Sequence, residues 1–261
     1  MCGSRQTRCA LSIHAAQSND MNITEHAAML TLLGVREITN DLHDAALPSN
    51  NIRIWVGDLN VVKSGSVLLP DVLSPDEIER LGTFVLEGDA LRFRYSRTVL
   101  RLLLSDYVEQ APETIAFSYT SNAKPMIVLS GTPLYFNISH SNECAIFAIS
   151  RDGEIGVDVE SINQDFDSAR IAERFFTNNE NRYLLSVPRE RFTHEFLKMW
   201  VIKEACVKAT GEGVHGIEGV EVMVADDGTA SLQHREQQRR PKDWQVCVFE
   251  PLHGYIARVV Y

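Results

Sequence analysis

The sequence predicts an α+β fold made of two similar halves. Three observations carry the prediction: the order of elements, a carboxylate-bearing strand near mid-chain, and enough apolar residues for real cores. The elements run strand, helices, strands, and then strand, helices, strands again, with no strict sequence repeat. At 261 residues, 44% of them hydrophobic, the chain is long enough for two domains of ordinary size. The halves are expected at residues 46–155 and 156–261. Residues 1–45 read as a partly disordered N-terminal extension, with Met21 and Met29 as alternative starts.

The elements follow from local pattern. In the extension only residues 25–33 carry a modest helical periodicity. Ile52-Arg53-Ile54-Trp55-Val56 is rich in β-branched and aromatic residues and reads as a strand. Ser74-Pro75-Asp76-Glu77 opens a helix, with Ser74 as N-cap and Glu77 at capping-box spacing. From Leu91 to Val108 the helical wheel gathers Phe93, Leu100, Leu103, Leu104 and Tyr107 on one face, with Arg94, Arg97 and Arg101 along its edge. Short strands are expected at 115–119, 126–129 and 144–150, and the turn Arg151-Asp152-Gly153 leads into the mid-chain strand. Helices follow at 166–176, 177–186 and 189–210, the second opened by the Thr177/Glu180 capping box and the third closed by Gly211. The tail returns to strands at 220–224, 244–249 and 255–261, with a turn at 226–228 and a polar loop at 234–240.

Composition excludes several classes. A net charge of −10 argues against a nucleic-acid binder, which is normally basic. No apolar run reaches the ~20 residues that span a membrane, and no secretory leader pattern is present. Five scattered cysteines lack metal-like pair spacing, so a reducing cytoplasm is the expected setting.

The chemistry concentrates in three segments. Glu154-Ile155-Gly156-Val157-Asp158-Val159-Glu160 reads as a strand whose alternate residues share a face, which puts Asp158 and Glu160 roughly 6.6 Å apart with Val157 and Val159 on the core side. Trp200, Glu204 and Lys208 recur at i, i+4 on one helix face, with Lys203 beside them. Three carboxylates beside two lysines suit a magnesium-bound, phosphate-bearing substrate, because Mg²⁺ takes hard oxygen ligands and shares its shell with phosphate and water. Phe136-Asn137-Ile138-Ser139-His140-Ser141 reads as a turn before a strand, with two hydroxyls and an imidazole able to cradle phosphate. Taken singly, each piece has a plainer reading: a solvated strand face, an i, i+4 ion pair, a serine-rich turn, a solvated helix edge.

Together and in this order, 136–141, 156–160 and 196–211, with Trp200-x-x-Lys203-Glu204-x-x-x-Lys208, closely resemble the three signature motifs of 4′-phosphopantetheinyl transferases of the larger, surfactin-synthetase type. Lys124-Pro125, the run from Arg92-Phe93 to Leu100-Arg101, and Phe176 with Glu180 extend the resemblance over residues 50–261. It implies an intramolecular pseudo-dimer, a monomer in solution. The activity, of holo-acyl-carrier-protein synthase type, moves the 4′-phosphopantetheine of coenzyme A onto a serine of an acyl- or peptidyl-carrier protein. It implies that Asp158, Glu160 and Glu204 hold Mg²⁺, with Glu204 as candidate general base and Lys203 and Lys208 neutralising the pyrophosphate. His140, Arg97 and Arg101 would grip the 3′-phosphate, with Ser139 and Lys124 at the nucleotide. One departure stands out: Arg80–Gly88, where such proteins carry several basic residues, has a single one, so Arg92 or Arg94 would have to compensate. A hydrolase or nucleotidyl transferase using the same acids, or a binder without activity, is the competing reading. Either would be told apart by whether a carrier protein is modified.

Overall fold

The computed structural model of the chain describes residues 23–38, 51–127, 131–163, 165–225, 229–234 and 244–261. The expected turn at 226–228 and most of the polar loop after His234 lie outside the described residues.

Helix α1 (Ile23–Leu32) and strand β1 (Val35–Ile38) come from the N-terminal segment, and β1 pairs antiparallel with β2 (Ile52–Asp58). Part of the expected extension is therefore an edge strand and a helix of the first half. Tyr95 ties them in by donating its hydroxyl to the Leu33 carbonyl at 2.8 Å. After the short α2 (Asn60–Lys63), α3 (Pro75–Leu81) starts as the capping motif requires, the Glu77 carboxylate returning to the Ser74 amide at 3.2 Å. Helix α4 (Glu87–Val108) begins one turn earlier than its apolar pattern indicated.

The strands β3 (Phe117–Tyr119), β4 (Pro125–Ile127), β5 (Tyr135–Ser141) and β6 (Cys144–Ser150) follow, and the end of the strand expected to reach residue 129 lies outside the described residues. The first sheet has the order β1-β2-β6-β5. The Ser-His-Ser segment is a correction: it is the end of β5, paired with β6 residue for residue, not a turn. The reversal comes one residue later, at Asn142, whose φ of 48° is the left-handed conformation that asparagine tolerates.

Strand β7 (Gly156–Ser161) opens the second half, followed by α5 (Ser168–Phe175), α6 (Asn178–Ser186), α7 (Phe192–Thr210), β8 (Val220–Val224), β9 (Ala230–His234), β10 (Val246–Phe249) and β11 (Tyr255–Val260). The second sheet has the order β10-β11-β7, and β8 and β9 form a separate hairpin, of which β9 had no clear sequence signal. The Thr177/Glu180 capping box forms as expected, and α7 ends on Gly211 at φ 75°, a conformation cheap only for glycine.

The two halves share one architecture, a long helix laid on one face of an antiparallel sheet. Val99, Leu100, Leu103 and Leu104 of α4 pack with Trp55, Phe147 and Ile149 of the first sheet. Phe196, Leu197, Val201 and Ile202 of α7 pack with Ile256 and the α5–α6 region of the second. The opposite faces of the two sheets, Ile54, Ile146 and Ala148 against Val157, Val159 and Val259, bury a common core. This is an α+β pseudo-dimer within one chain, and it brings the edge strands β5 and β7 side by side.

Candidate active site

The seam between the halves is made by side chains. Alternate residues of β5 point at β7: Asn137 accepts the Val157 amide at 3.0 Å, Ser139 donates to Asp158 Oδ1 at 2.8 Å, and Ser141 donates to Glu160 at 3.0 Å. Period two explains the set, since 137, 139 and 141 must share a face in a strand while His140 points the other way. Read as a turn, the segment gives Asn137 no role. The same alternation applied to 137–141 would have found it.

Helix α7 lies across β7 and brings two more groups. Lys208 places Nζ 2.6 Å from Asp158 Oδ1 and 3.0 Å from Ser139 Oγ, so one ammonium joins both halves and the helix. Asp158 is 3% exposed, and its Oδ2 is buried with no hydrogen-bond partner among the described residues. A buried carboxylate oxygen left unpaired is costly unless a ligand meets it. Glu204, one helical turn before Lys208, has its pKa pushed up to about 7, chiefly by burial, then by the negative charges of Asp158 and Glu160, with Lys208 opposing. A carboxylate shifted this way, by burial first and by neighbouring acids second, marks a candidate functional site.

The residues fit a hard divalent cation. Among the described residues no three acidic, histidine or cysteine side chains close around a single point. Mg²⁺ does not need a preassembled protein cage, because substrate phosphate oxygens and waters make up much of its octahedral shell. Asp158 through its open oxygen, Glu160 and Glu204 are the residues that would hold it.

Beside these acids lies a cleft of ≈ 560 Å³ lined by Arg92, His140, Asn142, Glu160, Asn163 and Asp165. Arg92 comes from the second turn of α4, where it pairs with Asp89. The His140 pKa is lowered by the crowding of protein atoms, then by the positive charges of Lys208 and Arg92. A second cavity of ≈ 540 Å³ has mostly apolar walls, including Pro125, Ile127, Leu134 and Phe136, with Lys124 at one side.

Three expected site residues lie elsewhere. Arg101 is 1% exposed and fully engaged, bonding Glu77 at 2.6 Å, the Pro112 carbonyl at 2.7 Å and Ser74 Oγ at 2.8 Å. It anchors α3 onto α4 and lines neither of these two cavities. Arg97 is 6% exposed, 3.7 Å from Glu77 and flanked by the rings of Phe93, Phe117 and Tyr119. Burial lowers its pKa, and the aromatic cage holds it away from the His140 cleft. Lys203 is 0% exposed, bonded to both oxygens of Glu180 at 3.0 and 2.8 Å and to the Val220 carbonyl. It points to a different face of α7 from Glu204 and Lys208, because on a helix position 203 stands about 100° from 204 and about 140° from 208. Lys124 lines the second cavity, and its Nζ donates to the Ala209 carbonyl at 2.7 Å. Ser139, His140, Asp158, Glu160, Glu204 and Lys208 are brought together.

The profile of the 4′-phosphopantetheinyl transferase superfamily matches residues 154–260, and that of the N-terminal 4′-phosphopantetheinyl transferase domain matches residues 63–152. The transferase HetI of Nostoc sp. is 33% identical over 189 residues, 72% of this chain and 80% of the relative. The chain belongs to the 4′-phosphopantetheinyl transferase superfamily. The transferase psf-1 of Bacillus pumilus is 35% identical over 178 residues, 63% of this chain and 75% of its own. Sfp of Bacillus subtilis is 30% identical over 162 residues, 62% of this chain and 70% of its own. Members of the superfamily use coenzyme A and modify a serine of a carrier protein, and the chain is a transferase of that kind. No helix among the described residues is long and apolar enough to cross a membrane.

Proposed function

We propose that the cluster of Asp158, Glu160, Glu204, Lys208, Ser139, His140 and Arg92 transfers 4′-phosphopantetheine to a carrier-protein serine with Mg²⁺, in the manner of a holo-acyl-carrier-protein synthase. The carrying observation is Lys208 held between Asp158 and Ser139 while Asp158 Oδ2 stays buried and open. In this reading the serine hydroxyl attacks the β-phosphorus of coenzyme A. A new phosphoester bond forms, the phosphoanhydride bond breaks, and adenosine 3′,5′-bisphosphate leaves.

Each residue has a part. Mg²⁺ held by Asp158, Glu160 and Glu204 would offset the negative charge of the pyrophosphate. Lys208 places a fixed cation where charge grows on the leaving phosphate, the kind of prearranged electrostatic stabilisation that catalysis uses most. Glu204 would serve as base for the serine proton: burial first, and the charges of Asp158 and Glu160 after it, raise its affinity for a proton, while Lys208 and a bound Mg²⁺ would oppose that rise. Arg92 and His140 offer a cationic and a hydrogen-bonding contact to a phosphate in their cleft, taking the role expected of Arg97 and Arg101. The apolar second cavity beside Lys124 suits a flat nucleobase. One chain contains all of these groups, so a monomer suffices.

The test is intact mass spectrometry of an apo carrier protein incubated with the chain, coenzyme A and Mg²⁺. The expected result is one added phosphopantetheine, lost on chelation and in Glu204→Ala. Coenzyme A turnover without carrier modification would overturn the reading in favour of a hydrolase.

A further inference from the structure

The last turn of α7 is held from the first half of the molecule. The final carbonyls of a helix have no partner within it and must be met from outside. Two carbonyls at this end are met by one turn, residues 120–124: Lys124 Nζ donates to Ala209 O at 2.7 Å, and Asn122 Nδ2 donates to Gly211 O at 2.7 Å. The turn is itself braced, the Lys124 amide donating to Thr120 Oγ1 at 3.1 Å and the Ala123 amide to the Thr120 carbonyl at 2.9 Å. On the other side of the same helical turn, Gly156 lies against the backbone of Ala205 and Ala209. Lys208 sits within this doubly gripped stretch, and its ammonium has to meet both Asp158 and Ser139.

We propose that Asn122 is a positioning residue for transfer. Its bond to Gly211 O closes a clasp between the halves that fixes the end of α7, and with it the Lys208 ammonium at Asp158. The role rests on the transferase reading above. Asn122 is the better probe of the clasp because Lys124 also lines the second cavity, whereas Asn122 is exposed and lines neither cavity. The geometry also predicts an order among replacements. Alanine removes the donor, while aspartate keeps the shape but sets a carboxylate oxygen against the Gly211 carbonyl.

The experiment uses the full chain with Asn122→Ala and Asn122→Asp, each also made in a Lys208→Ala background. The readouts are kcat and KM for coenzyme A by carrier mass spectrometry, and amide exchange at Gly211, whose N–H donates to Val207 O. Expected is a loss of about 5- to 20-fold in kcat with KM changed less than twofold, the aspartate being worse, and faster exchange at Gly211. In the Lys208→Ala background the Asn122 changes should cost less than twofold, since two residues acting through one group do not add. Normal kcat in both variants overturns the proposal, as does an equal loss in both backgrounds, which would mean a merely structural role. If the unmodified chain transfers nothing, the transferase reading fails separately. Gly211 exchange then decides the clasp, and unchanged exchange in both variants removes it.

Discussion

A Cβ added to Gly156 would lie 1.9 Å from the carbonyl oxygen of Ala205 and 2.5 Å from the Ala209 amide nitrogen. Strand β7 and helix α7 are in backbone contact at this point, and no side chain fits between them. The contact sets the depth of α7 on its sheet, which in turn puts Glu204 and Lys208 level with Asp158. Gly156→Ala must push two backbones apart, unlike a core substitution that flexible neighbours absorb. A loss of roughly 3 kcal/mol in urea unfolding is expected, at the upper end of overpacking costs. Activity should fall further than stability alone explains. Full activity and stability in this variant would show that α7 is free to shift.

Glu204 gives a pH signature in the metal-free protein. Its folded pKa of about 7 lies above the ordinary carboxylate value, so the folded chain binds this proton more tightly than the unfolded chain does. The resulting stability is complete below the unfolded pKa near 4.5, is lost as pH climbs, and is gone above about 7. Its size is at most about 3 kcal/mol. With EDTA present, Glu204→Gln should gain on the parent chain by up to that amount between pH 4.5 and pH 8. Saturating Mg²⁺ at pH 8 should stabilise the parent and not the variant. A parent–variant difference that does not move with pH would remove Glu204 from the acid cluster.

Much of this site is legible from periodicity, and most of what is not has one physical cause. Period two placed Asp158 and Glu160 on one face, and period 3.6 placed Glu204 and Lys208 on another, because these follow from local backbone geometry alone. Period says which residues share a face but not what that face meets. Arg101 and Lys203 are buried because Glu77 and Glu180, 24 and 23 residues away in sequence, happen to fold against them. Nothing local to either cation announces that. The Asn122–Gly211 bond spans 89 residues and depends on how the halves dock, which no pattern within a half contains. Strand β5 was missed for a different reason: serine and histidine have weak strand preference, and its pairing with the apolar β6 overrides it.

Ala123 adopts φ 60°, a left-handed conformation that costs a Cβ-bearing residue roughly 1–2 kcal/mol. Glycine would relieve that strain while adding freedom to the unfolded chain, which costs about 0.4–1 kcal/mol. Ala123→Gly should therefore stabilise by about 0.5 kcal/mol, seen as a rise in urea midpoint with an unchanged slope. A loss of stability would show that the turn is held by its hydrogen bonds in a conformation alanine accepts without strain.

Lys203 and Glu180 form a buried pair whose two oxygens also receive the Thr177 and Val222 amides at 2.7 Å each. Removing the cation leaves a carboxylate in the core with its charge uncompensated, a change that typically costs 3–5 kcal/mol. Lys203→Met should lower stability by that order. Any active fraction that remains should keep its KM for coenzyme A, which distinguishes a packing lysine from one that touches the substrate. A selective rise in KM at normal stability would return Lys203 to the site.

Arg92 and Arg101 lie nine residues apart on α4 but in opposite surroundings. Arg101 is bonded on all sides to Glu77, Ser74 and two backbone carbonyls, so Arg101→Met strands a buried Glu77 and should cost about 3–5 kcal/mol. Its effect on coenzyme A affinity should come only through unfolding. Arg92 lines the open cleft with His140 and pairs with the half-exposed Asp89, a contact that contributes little to stability. Arg92→Ala should leave unfolding within about 0.5 kcal/mol of the parent chain. It should raise KM for coenzyme A about tenfold while leaving KM for 3′-dephospho-coenzyme A nearly unchanged, because a lost charge-assisted bond of about 1.5 kcal/mol matters only when the phosphate is there to receive it. Equal effects on both substrates would move the 3′-phosphate away from Arg92. A selective effect from Arg97→Ala instead would mean that the aromatic cage opens to admit the phosphate.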